Sequence, residues 1–424
     1  MPEATLTTLA HYIDVEWLKE AYKQTRKDGA VGVDGESGED YGEELDLRLK
    51  SLLNRAKLGD LYRAPPVRRV YIPKDGGGQR PLGIPTFEDK VLQRAIKMVM
   101  EAIYEQDFLP CSFGFRPGRS QHQALETMRN HVMSMRGGWV ADLDIKAFFD
   151  SVDHKQLMAM IRERVRDGVI LRLIGKWLQA GVMEEGNVYY PENGTPQGGV
   201  ISPLLANIYL HVVTDVWFEK DVKPCLVGRA EMVRFADDIL IIFERETDAR
   251  RVMEVIPKRL QRYNLKLNPD KTRLVRFERP PKRRTPRRSE RPETFNFLGF
   301  THYCSKTRKG WFTVKRKTVR KRIRKKLKEI KAELKRRQHD PIPETGRWLG
   351  TVVAGFFNHN AVPFNYRSLV IFRDQVVRLW KRVLERRSQK GNIAWERMAR
   401  IKKRYLPKPR IRHPYPDPSL LVMT

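Results

Sequence analysis

The sequence predicts a mixed α/β front part with antiparallel hairpins, joined to an all-helical, strongly basic rear. Three observations carry this. Short apolar strands alternate with amphipathic helices as far as about residue 300. Past residue 316 the apolar positions recur at helical spacing only. The charge is also divided along the chain: residues 1–278 hold 41 basic and 41 acidic side chains, 279–293 hold 7 and 2, and 301–424 hold 34 and 8. Solubilising surfaces usually mix signs. A neutral globular unit therefore precedes a polyanion-binding one.

The elements follow in order. Residues 14–28 and 44–57 have helical periodicity and flank the turn Gly32-Val33-Asp34-Gly35. Val67–Ile72 reads as a strand, Pro73 to Arg80 as a Gly-rich turn and Pro81–Pro85 as the returning strand. A helix is expected over 87–107, a strand over 139–145, and a helix over 153–165 begun by Asp150 or Ser151. Residues 202–219 read as helix. Val233 to Phe243 reads as two apolar half-strands with two carboxylates between them. A helix over 247–263 and strands over 272–277 and 294–300 complete the front. The Pro- and Arg-rich 279–293 cannot pack a core and reads as a basic loop. In the rear, Val319, Ile323, Leu327, Ile330 and Leu334 form one stripe on a helix over 316–337. Helices at 345–357 and 366–388 follow, and the Pro-rich tail 396–424 is not expected to be a regular helix.

Composition narrows the function. A net charge of +31 and a pI near 10.1 imply a polyanionic partner, most simply nucleic acid. There is no run of 18 apolar residues, and Met1 to Thr5 shows no secretion signal, so neither a membrane span nor export is expected. Cys111, Cys225 and Cys304 are too scattered for a disulfide framework or a Cys-rich zinc site. The expected setting is reducing and cytoplasmic, on the nucleoid when the protein is bound to DNA.

Phosphoryl transfer by two Mg²⁺ ions needs two or three carboxylates at one point, because hard cations prefer oxygen ligands. Two places supply them. Asp142 and Asp144 share one face of a strand. Asp237 and Asp238 sit in an otherwise apolar hairpin, where an uncompensated carboxylate is costly.

Read together, the ordered blocks resemble those of group II intron reverse transcriptases. They are Gly32-Val33-Asp34-Gly35, Ile72-Pro73-Lys74, Pro81-Leu82-Gly83-Ile84-Pro85, Phe113 to Ser120, Asp144-Ile145-Lys146-Ala147-Phe148-Phe149-Asp150, Gly194 to Pro203 (with Pro196-Gln197-Gly198-Gly199) and Phe235-Ala236-Asp237-Asp238. Asp270-Lys271-Thr272 and Phe297-Leu298-Gly299-Phe300 resemble the last two blocks, and the basic region from about 301 to 390 resembles the maturase (X, or thumb) domain. The resemblance implies a right-hand polymerase with fingers at 1–135, palm at 136–300, a helical thumb at 301–395 and a tail at 396–424 that could contact DNA. It implies RNA-directed DNA synthesis, binding and splicing of the intron RNA, and a DNA target and primer–template as partners.

It also implies residue roles. Asp144 and Asp237 would ligate both Mg²⁺ ions with Asp238 supporting, while Asp142 stays outside the set and Asp150 caps a helix. Lys74 and Arg80, with Arg68 or Arg69 assisting, would hold the deoxynucleoside triphosphate. Phe149 would pack under its sugar and exclude a 2′-hydroxyl, and Gln197 would touch the nucleotide. Lys271 would protonate the leaving pyrophosphate or pair with a nearby acid. On the basic helix, Arg316, Lys317, Arg320, Lys321, Arg324, Lys325, Lys328 and Lys331 would face structured RNA. The sequence departs from the family in carrying Phe235 where Tyr is common. An HNH-type endonuclease with paired cysteines is not expected. Two other readings stay open: another bacterial reverse transcriptase, serving defence or diversification, and a non-catalytic RNA-binding splicing factor.

Overall fold

The computed structural model describes residues 4–73, 78–184, 187–190, 194, 198–279, 292–307, 309–387 and 392–413. It has two compact units, one of residues 1–124 and 141–274, the other of 125–140 and 275–424.

In the first unit, α1 (Val15–Gln24) begins at Asp14, whose carboxylate accepts from the Trp17 amide at 2.8 Å. Then come α2 (Leu45–Lys57), β1 (Val67–Pro73) and β2 (Gln79–Ile84), the last two paired antiparallel from Arg68↔Ile84 to Pro73↔Gln79. Thr86 caps α3 (Phe87–Tyr104), which buries Val91, Ala95 and Ile103. Helix α4 (Gln121–Ser134), which from residue 125 belongs to the second unit, leads into β3 (Gly138–Asp144) and the one-turn α5 (Phe148–Ser151). Asp153 caps α6 (His154–Arg164), and Asp167 caps α7 (Gly168–Leu178). A short hairpin, β4 (Val182–Glu184) and β5 (Asn187–Tyr189), extends the first sheet in the order β2-β1-β4-β5.

Helix α8 (Ser202–Leu210) continues through wide π-type turns at His211–Val216 and Phe218–Val222. The antiparallel hairpin β6 (Ala230–Phe235) and β7 (Asp238–Phe243) follows, then α9 (Glu246–Gln261) and β8 (Arg273–Phe277). These strands form a sheet in the order β6-β7-β3-β8.

The second unit holds an antiparallel sheet of β9 (Thr294–Phe297), β10 (Phe300–Lys306) and β11 (Phe312–Thr318). Four helices follow: α10 (Arg320–Arg336), α11 (Ile342–Asn360), α12 (Tyr366–Glu385) and α13 (Trp395–Tyr405). Ile330 and Leu334 of α10 are buried with Leu349, Phe357, Phe372 and Trp380, and Ile323 and Leu327 pack at the edge of this core.

Four expectations are corrected. The helix after β3 starts at Asp153, because that side chain reaches the Gln156 amide at 2.8 Å, whereas Asp150 lies inside α5. The rear is not all-helical from 301: the chain is a strand to Thr318, and α10 starts at Arg320. The tail contains a helix, α13, because Met398 is drawn into the core of the second unit. The strand expected over 294–300 is broken at Leu298, which has φ +48°, and Gly299, which has φ +88°. Residues 280–291 of the expected basic loop lie outside the described residues.

Candidate active site

The hairpin between β6 and β7 turns through Ala236 and Asp237, with Phe235 opposite Asp238. A two-residue connection between right-twisted strands needs positive φ. Ala236 supplies it at φ +56°, where an L-residue costs roughly 1–2 kcal/mol. Surrounding contacts hold it there. Gly114 is pressed against the turn so closely that a Cβ would stand 2.3 Å from the Ala236 nitrogen, so only glycine fits. The neighbouring Phe113 amide donates to the Arg234 carbonyl at 2.9 Å, and the Arg234 amide to the Cys111 carbonyl at 2.8 Å. The block Phe113 to Ser120 is therefore a brace for the carboxylate turn.

Asp144 ends β3. Its carbonyl accepts from the Asn268 amide at 2.7 Å, and its amide donates to the Thr272 hydroxyl at 3.3 Å. The segment after α9 is thus clamped along it, which delivers Lys271: the ammonium lies 3.1 and 3.2 Å from the two Asp144 oxygens. Asp142, one pleat back, pairs instead with Arg273 at 3.4 Å, and burial pushes its pKa up.

Asp237 is half-buried. Its pKa is raised, chiefly by burial and further by Asp144, against the opposing pull of its own amide, Arg80 and Lys271. The fold therefore brings Asp144, Asp237, Arg80 and Lys271 within one electrostatic neighbourhood, while Asp238 is exposed at the start of β7. Two of the expected metal ligands meet there. Among the described residues, however, no group of three or more His, Cys, Asp or Glu side chains is arranged to hold a metal ion. The donor chemistry still suits a hard divalent cation: two carboxylates lie close enough to raise each other's cost of ionisation, and Lys271 supplies part of the missing positive charge.

The nucleotide residues divide. Phe149 is half-buried on α5, its ring centroid 5.3 Å from that of the buried Phe148. Gly194 lies against α5, where a Cβ would be 3.0 Å from the Phe149 carbonyl oxygen. Gly198, at φ +117°, lies against β2, where a Cβ would be 2.6 Å from the Gly83 carbonyl oxygen. Gly194 and Gly198 are thus placed against α5 and the Arg80 strand, while Gln197 and Lys74 lie outside the described residues. Arg68 and Arg69 are engaged elsewhere: Arg68 donates to the Val31 carbonyl at 2.7 Å, and Arg69 pairs with Glu184 at 3.8 Å.

The basic surface is also redistributed. Arg320, Lys321, Arg324, Lys325, Lys328 and Lys331 are exposed on α10. Lys317 is exposed on β11, its ammonium 5.3 Å from the Tyr303 ring centre. Arg316 does not face outward. As the next residue on a strand it points to the opposite face, is 5 % exposed, and lies 3.7 Å from Glu126. Strand alternation, hidden under the helical stripe, separates the two.

A hairpin bearing one half-buried carboxylate, set in the same sheet as a strand ending in a second and within the electrostatic reach of Arg80 and Lys271, fits an α/β polymerase. The model of the reverse transcriptase (RNA-dependent DNA polymerase) family matches residues 72–302. The chain belongs to that family, whose members in general depend on divalent metal ions.

Among similar proteins, Protein YkfC of Escherichia coli (strain K12) is 42% identical over 202 residues, covering 46% of this chain and 53% of that protein. Group II intron-encoded protein LtrA of Lactococcus lactis subsp. cremoris is 42% identical over 181 residues, covering 42% of this chain and 29% of that protein. Nuclear intron maturase 4, mitochondrial, of Arabidopsis thaliana is 31% identical over 130 residues, covering 30% and 16%. The match thus spans about half of the first relative and under a third of the second. Among the described residues no helix is long and apolar enough to cross a membrane.

Proposed function

We propose that this chain is an RNA-directed DNA polymerase that also binds a group II intron RNA and supports its splicing and mobility. The family match and the names of the relatives support the reading. The observation that carries it is the apposition of Asp144 and Asp237 beside Arg80 and Lys271. Two Mg²⁺ ions bound by Asp144 and Asp237, with Asp238 nearby, would activate the primer 3′-hydroxyl and neutralise the departing pyrophosphate. Arg80, with Lys74, binds the triphosphate of the incoming deoxynucleotide. Phe149 closes the sugar site and Gln197 contacts the nucleotide. Lys271 holds Asp144 in place and balances its charge.

Fingers occupy residues up to about 135 and the palm runs to about 300. The thumb/maturase region follows to about 395, with the exposed cations of α10 against intron RNA and the tail toward target DNA. The location is cytoplasmic. The test is Asp237→Ala, which removes Mg²⁺-dependent extension of a DNA primer on an RNA template while RNA binding by the basic rear persists. Near-normal extension by this variant overturns the assignment.

A further inference from the structure

Arg234 is the penultimate residue of β6, two residues before the turn residue Ala236, and its side chain is fully buried, as is that of Asp215. The pair is bidentate: Nη2 donates to Asp215 Oδ2 at 2.6 Å and Nε to Oδ1 at 2.7 Å. The remaining arm of the guanidinium is aimed at the hairpin, with Nη1 donating to the Ala236 carbonyl at 3.1 Å and to Asn207 Oδ1 at 2.9 Å. Asn207 in turn donates through Nδ2 to the Gly114 carbonyl at 2.7 Å, and Gly114 is the residue pressed on the Ala236 nitrogen.

The contacts close a ring around Ala236. The carbonyl that Arg234 holds belongs to the peptide joining Ala236 to Asp237. The nitrogen that Gly114 backs belongs to the peptide joining Phe235 to Ala236. Both peptide planes of the left-handed residue are thereby held, and the second sets the direction in which Asp237 leaves the backbone. Asp215 stands in the wide-turned run His211–Val216 and is further held by the Thr214 hydroxyl at 2.9 Å. Widened turns of this kind often occur at functional sites. A fully buried ion pair contributes little net stability over apolar side chains, so geometry is its principal contribution here.

We propose that Arg234, oriented by Asp215 and linked through Asn207 to Gly114, is the positioning residue of the catalytic hairpin: it fixes the Ala236–Asp237 peptide and so the aim of the Asp237 carboxylate. The inference rests on the reading of Asp237 as a metal-binding carboxylate. With its side chain fully buried, Arg234 acts through the hairpin backbone. Lysine is not equivalent, because three donors on a single nitrogen cannot cover the four acceptors that Nε, Nη1 and Nη2 reach: both Asp215 oxygens, Asn207 Oδ1 and the Ala236 carbonyl.

The test uses the full chain carrying Arg234→Lys and, separately, Asn207→Ala, which removes one link of the ring without leaving a buried charge unpaired. Two measurements are made. Hydrogen exchange of the amides at 235–239 is followed in metal-free protein, and the Mg²⁺ dependence of single-nucleotide incorporation is titrated. Faster exchange confined to the hairpin is expected, with the half-saturating Mg²⁺ concentration raised about tenfold and the nucleotide KM and RNA affinity changed less than twofold. Folded Arg234→Lys protein with wild-type exchange and wild-type Mg²⁺ dependence overturns the proposal. If Arg234→Lys does not fold, the same two readouts on Asn207→Ala decide it. The exchange measurement is independent of chemistry: an active Asp237→Ala variant would refute the catalytic reading and leave the hairpin result standing.

Discussion

Lys271 holds its ammonium almost symmetrically between the two carboxylate oxygens of Asp144, 3.1 and 3.2 Å away. The Lys271 side chain is 64 % exposed. A pair so open to water adds little stability, and its effect is local: it sets the charge at the end of β3. Lys271→Met is expected to lower single-nucleotide incorporation by about 10–100-fold without altering the melting temperature. Lys271→Arg, which keeps the charge but cannot release a proton near neutral pH, should recover most of that rate. Rapid-quench kinetics on the two variants check this. An arginine variant as slow as the methionine one assigns Lys271 to proton donation instead.

Sugar selection should depend on Phe149. It is half-buried on the single turn of α5, while Phe148 beside it fills the core. Phe149→Ala or Phe149→Val is expected to raise ribonucleotide incorporation relative to deoxynucleotide and to leave the fold intact. The ratio of kcat/KM for the two sugars is the measurement. An unchanged ratio, or an unfolded variant, makes Phe149 a core residue.

Stability should fall as pH rises through neutrality on account of Asp89. The carboxyl is buried in α3, accepts a hydrogen bond from the Tyr62 hydroxyl, and has its pKa raised to about 7, chiefly by burial. In the unfolded chain the same group titrates near 3.8. The folded state therefore binds the proton more tightly. The stabilisation is complete below the unfolded pKa, declines as pH rises above it and is lost once pH passes the folded one. Thermal melts between pH 5 and 8.5 should show the wild type losing stability with pH. Asp89→Asn should flatten that slope, and a variant with the wild-type slope would refute the assignment.

The exposed face of α10 should carry salt-sensitive RNA affinity. Each neutralised phosphate releases counterions. Reversing Arg320, Lys321, Arg324 and Lys328 is therefore expected to remove roughly three or four units from the log–log salt slope. Binding titrations across salt concentrations measure it. Extension of a short pre-annealed primer–template should change much less. Arg316→Glu is the contrasting variant: with Arg316 buried 3.7 Å from Glu126, it should destabilise the second unit by about 3–5 kcal/mol and leave no interpretable slope.

Much of the first unit was legible in the sequence because local patterns agree with the fold. The apolar half-strands around Asp237, the β1–β2 hairpin and α3 all show their period directly, and the carboxylates stand out by being in apolar company. The brace behind the hairpin was not legible. Arg234, Asp215, Asn207 and Gly114 lie as many as 120 positions apart, and the available signal was a charged Arg234 inside an apolar strand. The strands β10 and β11 beside β9 were hidden for a related reason. Their inward positions include His302, Arg316 and Thr318, polar residues that are nonetheless buried, so no clean alternation marks the strands. Thr318 is accommodated by Asn360 at 2.9 Å and Asn365 at 2.8 Å, and Arg316 faces Glu126 across the second unit. Such compensation is distant in sequence. Helix α13 was obscured by the prolines that follow it.

The assignment of 125–140 to the same unit as 275–424 constrains how a growing chain can mature. Helix α4 emerges early, but its charged residues Glu126 and Arg129 must wait for Arg316 and Phe364, which Arg129 approaches to 5.8 Å. At about 5–20 residues per second, that delay is on the order of 10–40 s. Throughout it α4 is an amphipathic segment without its native neighbours, attached to a first unit that also cannot close until its last strand is made. Vectorial synthesis therefore offers this protein no finished amino-terminal unit until residue 274 has been made. The first unit is complete at residue 274 and the second only near the end of translation, so a ribosome stalled between residues 140 and 275 would hold a chain with exposed apolar surface.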